Sequence, residues 1–400
     1  MQILKGRLVL EELTEIGLET QIEQIAKHLH LLSQEKQELT RVLKEGDPEL
    51  SNLPAKFFKD MVGVDDERKL IIDIPFSNLN GFTCAGVDGG LSTASLLGID
   101  ILLVRAVAAV ISYAHRGIYS TRYFPSRNPQ PKVLVSMERF SPREFDATAS
   151  LKRTLEELST ALALISEEER HIDLLLMDGS LNQGAYLLYS ENSQLKPLAD
   201  DVLATMRALI DASQQRGVLL AFVVKDSKSS HFVDFIGKIL PLVADKIPDL
   251  LKIGYRRILR SSRDQDFMAR LLRTGTRSFC LRRGQLEFPG TDNPVGNVYS
   301  FYLKPAPYDF PLRVEFAQEP MNSDATAARM ADATANKIST LLLPLSQFHS
   351  AYALPAPIIE ADARARLPNP VMDAILQMLR NRAPLLETTR KKRERNPFTL

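Results

Sequence analysis

Between residues 20 and 45 apolar positions recur at alternating steps of three and four: Ile22, Ile25, Leu29, Leu32, Leu39 and Leu43, with Lys36 in the one polar slot. This is an a/d seam, and it predicts a helix that either docks along its length on the rest of the chain or pairs with a second copy. Thr20 and Glu23 form a T-x-x-E capping box, which would satisfy two free backbone donors and start the helix there. "EGDPELSNLP" ends the helix, so residues 1–77 read as an N-terminal helical arm.

From about Asn78 the period shortens. Apolar, β-branched runs follow one another: "GFTCAGVD", "DILLVRAVAAVISY", "KVLVSME", "HIDLLLMD" and "GVLLAFVVKD". Helical periodicity separates the later ones, over 145–169, where Ser141-Pro142-Arg143-Glu144 has capping-box character, and over about 196–216. Three strands in succession, then helix–strand–helix–strand, predict a mixed α/β sheet. Further strands, "VYSFYLKP" and "LRVEFA", and a helix near 326–345 carry the same unit to about residue 385. Residues 386–400 are a basic, unpatterned tail.

Composition narrows the function classes. The chain has 400 residues, 44% hydrophobic and 25% charged, with a formal net charge of +1, so any attraction to nucleic acid must come from local patches. Arg277, Arg282, Arg283 and the tail from Arg390 to Arg395 are candidate phosphate contacts of that kind. The two cysteines, Cys84 and Cys280, give neither a disulfide framework nor a zinc pattern, which fits a reducing, cytoplasmic setting. The N-terminus has acidic residues where a secretory leader needs an apolar stretch. "ASLLGIDILLVRAVAAVISY" is long enough to span a bilayer but carries Asp100 and Arg105, so buried strands are expected and no membrane. No G-x-G-x-x-G, Walker A or H-E-x-x-H pattern occurs.

Two Asp-Gly pairs concentrate the chemistry. Asp88-Gly89 sits between two apolar runs, a common hairpin signal, and is expected to turn the first strand into the second. Asp178-Gly179 ends the apolar run Leu174 to Met177. If those strands are neighbours, two carboxylates meet at one sheet edge, where ligands of open α/β sheets gather. Like charges held close need a cation, and oxygen-rich sites select Mg²⁺ or Mn²⁺.

Strand–Asp-Gly, a Glu-bearing helix, strand–"DGSL" and a late "P-x-P-x-I-E-A" motif together resemble the nuclease family NurA, over about residues 80 to 365. The resemblance implies an RNase H-like mixed sheet flanked by helices, a long N-terminal helical arm and a C-terminal helical extension. It implies a site of Asp88, Glu157, Asp178 and Asp362 holding two Mn²⁺ or Mg²⁺ ions. Glu157, with Ala161 four residues on, fits the family's E-x-x-x-A setting better than its neighbour Glu156. Asp362 stands where the family has His, and Leu354 and Ala356 where it has Tyr, so proton donation near neutral pH is weakened. Glu360 is a further candidate. Lys225 and Ser227, in a "VVK-x-S" setting, would contact the scissile phosphate. "RVEF" resembles another family strand, or makes a cross-strand ion pair of Arg313 and Glu315.

The implied activity is a metal-dependent deoxyribonuclease: a 5′-to-3′ exonuclease, with single-strand endonuclease action, in double-strand break end resection. Implied partners are DNA, a HerA-type hexameric translocase ATPase and a second copy of the chain. The alternative is a catalytically weak or inactive DNA-binding or assembly subunit of the same fold. A third reading, an ATP-hydrolysing or sugar-phosphotransferring enzyme, needs Gly- and Thr-rich phosphate loops that "DGGLSTAS" only faintly imitates.

Overall fold

A computed structural model describes residues 17–46, 61–62, 69–96, 98–115, 117–137, 140–167, 171–181, 194–286, 288, 296–319 and 324–382. The expectations for the first 16 residues and for the basic tail lie outside these.

The first helix, α1, spans Leu18–Gly46. It begins before Thr20, so that residue lies within the first turn and is not the cap the T-x-x-E pattern suggested. The seam divides in two. Leu39 and Leu43 are buried in one core with Phe232, Phe267 and Phe279, each leucine contributing about 1.5–3 kcal/mol. Lys36 bridges to Asp266 at 2.8 Å. Ile22, Ile25 and Leu29 instead remain 56, 45 and 58% exposed. Half of the arm therefore docks within the chain.

The strands are β1 (Met61–Val62), β2 (Ile71–Asp73), β3 (Thr83–Ser95), β4 (Asp100–Ala114), β5 (Gly117–Phe124), β6 (Lys132–Ser136), β7 (Leu174–Asp178), β8 (Leu219–Val224), β9 (Thr276–Ser278), β10 (Cys280–Leu286), β11 (Gly296–Lys304) and β12 (Leu312–Gln318). Among the described residues they form one sheet of order β1-β10-β11-β12-β8-β7-β3-β4-β5, with β2 on β9, β9 also on β11, and β6 on β4. β3, β4 and β5 form an antiparallel meander, and β7 and β8 run parallel to β3. This is the mixed sheet expected of an RNase H-like core.

Two further helices, α2 (Pro142–Ser166) and α3 (Lys196–Gln215), cover one face. Ala85, Val87, Leu175 and Met177 pack there against Leu158, Ala161, Leu203 and Met206. The predicted box at Ser141 is present, with the Ser141 side chain on the Glu144 N–H and Glu144 returning the bond. After β8 come α4 (His231–Val243), α5 (Tyr255–Arg260) and α6 (Asp264–Leu271), which pack with α1. The C-terminal helices are α7 (Asp324–Leu345), α8 (Ala356–Ala365) and α9 (Asn369–Arg382). α7 and α8 bury Ile338, Leu342 and Ile358 on the other face, against Cys84, Leu174, Leu176 and Val223. Among the described residues no helix is long and apolar enough to cross a membrane.

The hairpin expectation at Asp88 is wrong. β3 runs unbroken through Asp88-Gly89-Gly90, which pair with Val107, Ala106 and Arg105, and continues to Ser95, beyond which the Leu96 N–H meets the Ile99 carbonyl. None of these glycines has positive φ, whereas Gly179, at φ 116°, does. The glycines of β3 are required by close approach instead. A Cβ on Gly86 would lie 2.4 Å from the Pro357 carbonyl carbon, and one on Gly90 1.8 Å from the Ala365 oxygen. The bare strand is the seat of α8.

Candidate active site

Val87 of β3 is the parallel partner of Met177 of β7. One step on, Asp88 and Asp178 occupy matching positions on adjacent strands, whose backbones lie about 4.8 Å apart. Alternation puts both side chains on the face of Cys84, Leu174 and Leu176, beneath α8. Asp178 closes β7, and Gly179 turns the chain away in a conformation that favours glycine.

Glu157 arrives from the opposite face, on α2, and is buried. It reaches the strand because Gly89 has no side chain: a Cβ there would lie 2.4 Å from Glu157 Oε1. Gly89 also donates its N–H to Asp88 Oδ1 at 2.7 Å. Asp362, on the exposed side of α8, adds its charge to Asp88. Lys225, just beyond β8, donates Nζ–H to Asp178 Oδ2 at 2.8 Å.

The electrostatics are those of an undercompensated acidic cluster. Burial, then the Asp178 and Asp362 charges, push Asp88 up to about 7, against the Gly89 N–H and Lys225. Burial pushes Glu157 up to about 8, with Asp88 and Asp178 adding to it and Arg153, 3.4 Å away, opposing. Lys225 loses some basicity to burial, but its bond to Asp178 and the charges of Asp178, Asp88 and Asp362 outweigh that and raise it. Among the described residues no three His, Cys, Asp or Glu side chains stand arranged to hold a metal ion. Asp178 is turned to Lys225, so a cation would have to displace that ammonium group to reach it. The donor set itself, four carboxylates, suits a hard divalent cation.

The other candidates fall elsewhere. Glu156 pairs with Lys132 at 2.6 Å, away from Glu157's partners. Glu360 accepts from the Tyr123 hydroxyl at 2.6 Å and from Arg364, one turn away on α8; despite some burial, those bonds hold its carboxyl below the usual range. The buried Ser227 hydroxyl is committed to Arg313 and Tyr302. Arg277 cannot be the phosphate contact its charge suggested, because it is fully buried against Asp332 and Asn336.

Sequence reasoning offered Arg313 and Glu315 as an ion pair but missed the polar system they build beside the site with Ser180, Leu181 and Arg283. Glu315, 1% exposed, accepts from Ser180 Oγ at 2.7 Å and from the Leu181 N–H at 2.8 Å. It is held by Arg313 at 2.9 Å and Arg283 at 3.5 Å. Arg313 and Glu315 are two apart on β12 and share a face, so their pair lies within one strand and not across two. The available signal was two charges at i and i+2 in an otherwise apolar strand.

These features define a mixed α/β protein with an acidic, partly buried site on adjacent parallel strands, at the end of β7 and within β3. The chain belongs to the NurA family: the NurA domain matches residues 82–367. The crystal structure of the NurA nuclease from Sulfolobus solfataricus is 14% identical, with 95% of this chain and 98% of that chain covered and a TM-score of 0.52, and it shares the fold. Two other NurA crystal structures, the second with manganese, are 10% identical each. They cover 91 and 92% of this chain and 99 and 100% of their own, at TM-scores of 0.44 and 0.42. No curated protein matches the sequence.

Proposed function

We propose that this chain is a divalent-metal-dependent DNA nuclease. The observation that carries the reading is the burial of Asp88 and Glu157 beside Asp178 and Asp362, with their pKa values raised to about 7 and 8. A fold retains such mutual repulsion where a cation or a proton has work to do.

In this reading Asp88, Glu157, Asp178 and Asp362 hold two Mn²⁺ or Mg²⁺ ions. Bound there, such ions lower the pKa of a water and stabilise the departing oxygen of a phosphodiester. Were Asp178 to ligate an ion it would release Lys225, whose ammonium would then be free at the end of β7 for a phosphate oxygen. Gly89 keeps room for Glu157 and orients Asp88 through its N–H. Ser227 holds the Lys225 loop through Arg313 and Tyr302 instead of meeting the phosphate itself, while Glu156 and Glu360 stay in their ion pairs.

Family membership supports the finer parts of the proposal. These are 5′-to-3′ end processing with single-strand endonuclease action, a role in break resection, a HerA-type ATPase partner, a homodimer and a cytoplasmic workplace. The nuclease unit is assigned to residues 78–385, with 1–77 as the arm and 386–400 as a tail. The Lys225–Asp178 bridge and the Asp at position 362 favour the alternative, a subunit of the same fold with little activity. Cleavage of linear DNA with Mn²⁺ separates the two. Wild type should cut, and Asp88→Ala and Asp178→Ala should not; equal trace activity in all three would sink the nuclease reading.

A further inference from the structure

Outside the carboxylate cluster, a cavity of about 550 Å³ lies between α4 and β10. Its polar lining is Lys238, Arg282, Arg283, His231 and Gln285, with Asp234 as the acidic member. Asp234 is already engaged by the Ser230 hydroxyl at 3.0 Å. Arg283 is shared with Glu315, so Lys238 and Arg282 are the cations that face Asp234 across the cavity. His231 is held below its ordinary pKa chiefly by desolvation and then by Arg283, with Asp264 and Asp234 opposing and Lys238 adding the least.

The backbone is built to present these charges. The register of β10 on β11 shifts between Arg282 and Gly284, so Arg283 falls in a bulge. Bulges re-aim a side chain beside functional sites. Arg283 extends from the bulge to Glu315, which holds Ser180 and Leu181, two and three residues after Asp178. The cavity is thus joined to the acidic site by one buried carboxylate. A polyanion passing through the cavity would lie alongside the strand ends.

We infer that the cavity between α4 and β10 is a backbone-phosphate subsite for the nucleic-acid strand, taking a phosphate outside the reacting linkage. This rests on the nuclease reading for what the strand is doing there, but its binding chemistry is separate. Lys238 and Arg282 supply charge, and Arg283 ties the subsite to the loop after Asp178.

The test is binding of a fluorescein-labelled 20-nucleotide single strand in EDTA, followed by anisotropy across a salt series. Lys238→Gln and Lys238→Gln/Arg282→Gln are compared with wild type. Lys238 is exposed on α4, so the single variant keeps the fold, which thermal melting checks. Loss of two phosphate contacts should flatten the slope of log K against log salt by about 1.4, at about 0.7 per single-strand contact. Affinity near 0.1 M salt should fall on the order of tenfold, half of it logarithmically in the single variant. Cleavage of bis(p-nitrophenyl) phosphate with Mn²⁺, a substrate too small to span both places, should not change. An unchanged slope and affinity would overturn the subsite, as would a wild type that does not bind the strand. A wild type that binds but cleaves neither substrate would overturn the nuclease reading alone.

Discussion

Two buried charge systems lie a few residues apart, and they are built on opposite terms. The Glu315 carboxylate is closed: two arginines, a hydroxyl and a backbone N–H meet its oxygens. The Asp88 cluster is open: four carboxylates share Lys225 and Arg153. Burial costs both systems their hydration, but only the second is left with repulsion that no resident group removes. The closed system is a frame, holding the Ser180–Leu181 segment and, through Arg313 and Ser227, the Lys225 loop. The open one is where a ligand of opposite charge has something to gain.

The largest effect should come from breaking the frame. Glu315→Ala leaves two arginines buried around a void, and we expect a loss of about 3–5 kcal/mol in urea denaturation. The same measurement on Asp88→Asn should show the reverse sign in EDTA, because the substitution removes repulsion. If Asp88→Asn destabilised as much as Glu315→Ala, the contrast between the two systems would collapse.

Asp88→Asn should nonetheless reduce Mn²⁺-dependent cleavage by more than about 100-fold, beyond what an outer-shell partner contributes. It should also change the pH response of stability. Asp88 and Glu157 titrate at about 7 and 8 in the folded chain, against ordinary values of 3.8 and 4.5. Their raised pKa values stabilise the fold fully below about pH 4, where both states are protonated. That contribution is lost as pH rises towards about 8, since the unfolded chain releases its protons first. Metal-free wild type should therefore lose melting temperature between about pH 4 and 8, and Asp88→Asn should flatten that decline up to about pH 7. Because ligation needs both groups ionised, Mn²⁺ affinity by calorimetry should rise over the same interval. A pH-independent affinity would remove the linkage.

Gly89→Ala sharpens the contrast from the steric side. Its Cβ would meet Glu157 Oε1 at 2.4 Å and Cγ at 2.8 Å, so about 1–3 kcal/mol of overpacking and a displaced Glu157 are expected. Gly90→Ala should cost more, because its Cβ meets the Ala365 backbone, which cannot rotate away. Chemical denaturation of the two variants gives the order. Smallest of all is Glu156→Gln. Its partner Lys132 is 63% exposed, so stability should change by less than about 1 kcal/mol and cleavage not at all. A cleavage defect as large as that of Glu157→Gln would reverse the assignment of the two glutamates.

Much of the fold was legible in the chain. The apolar runs at 174–177 and 219–224, and the helices before and between them, gave their types through period alone, since a parallel strand buried on both faces must be apolar throughout. Asp178 was legible because Gly179 marks a real turn. Asp88 was legible as a carboxylate but not as a strand residue: Asp-Gly-Gly carries the same letters whether the chain bends or a helix presses on it. Glu157 and Glu156 are adjacent on α2, and periodicity could not say which one meets a gap in β3.

The sequence by itself determined the order of strands and helices along the chain, the two Asp-Gly pairs on apolar runs, and the apolar seam of α1. It also carried the motif order that belongs to the NurA family. Tertiary structure alone decided how Glu157, which the family resemblance favoured over Glu156, reaches the aspartates, that Lys225 occupies Asp178, and that Arg313, Glu315 and Arg283 form a frame. It also brought Lys238 and Arg282 around one cavity. The physical reason is range. Period and turn chemistry act between near neighbours in the chain, whereas distant charges, such as Lys225 and Asp178, 47 positions apart, interact only once packing has brought them together and taken their water away.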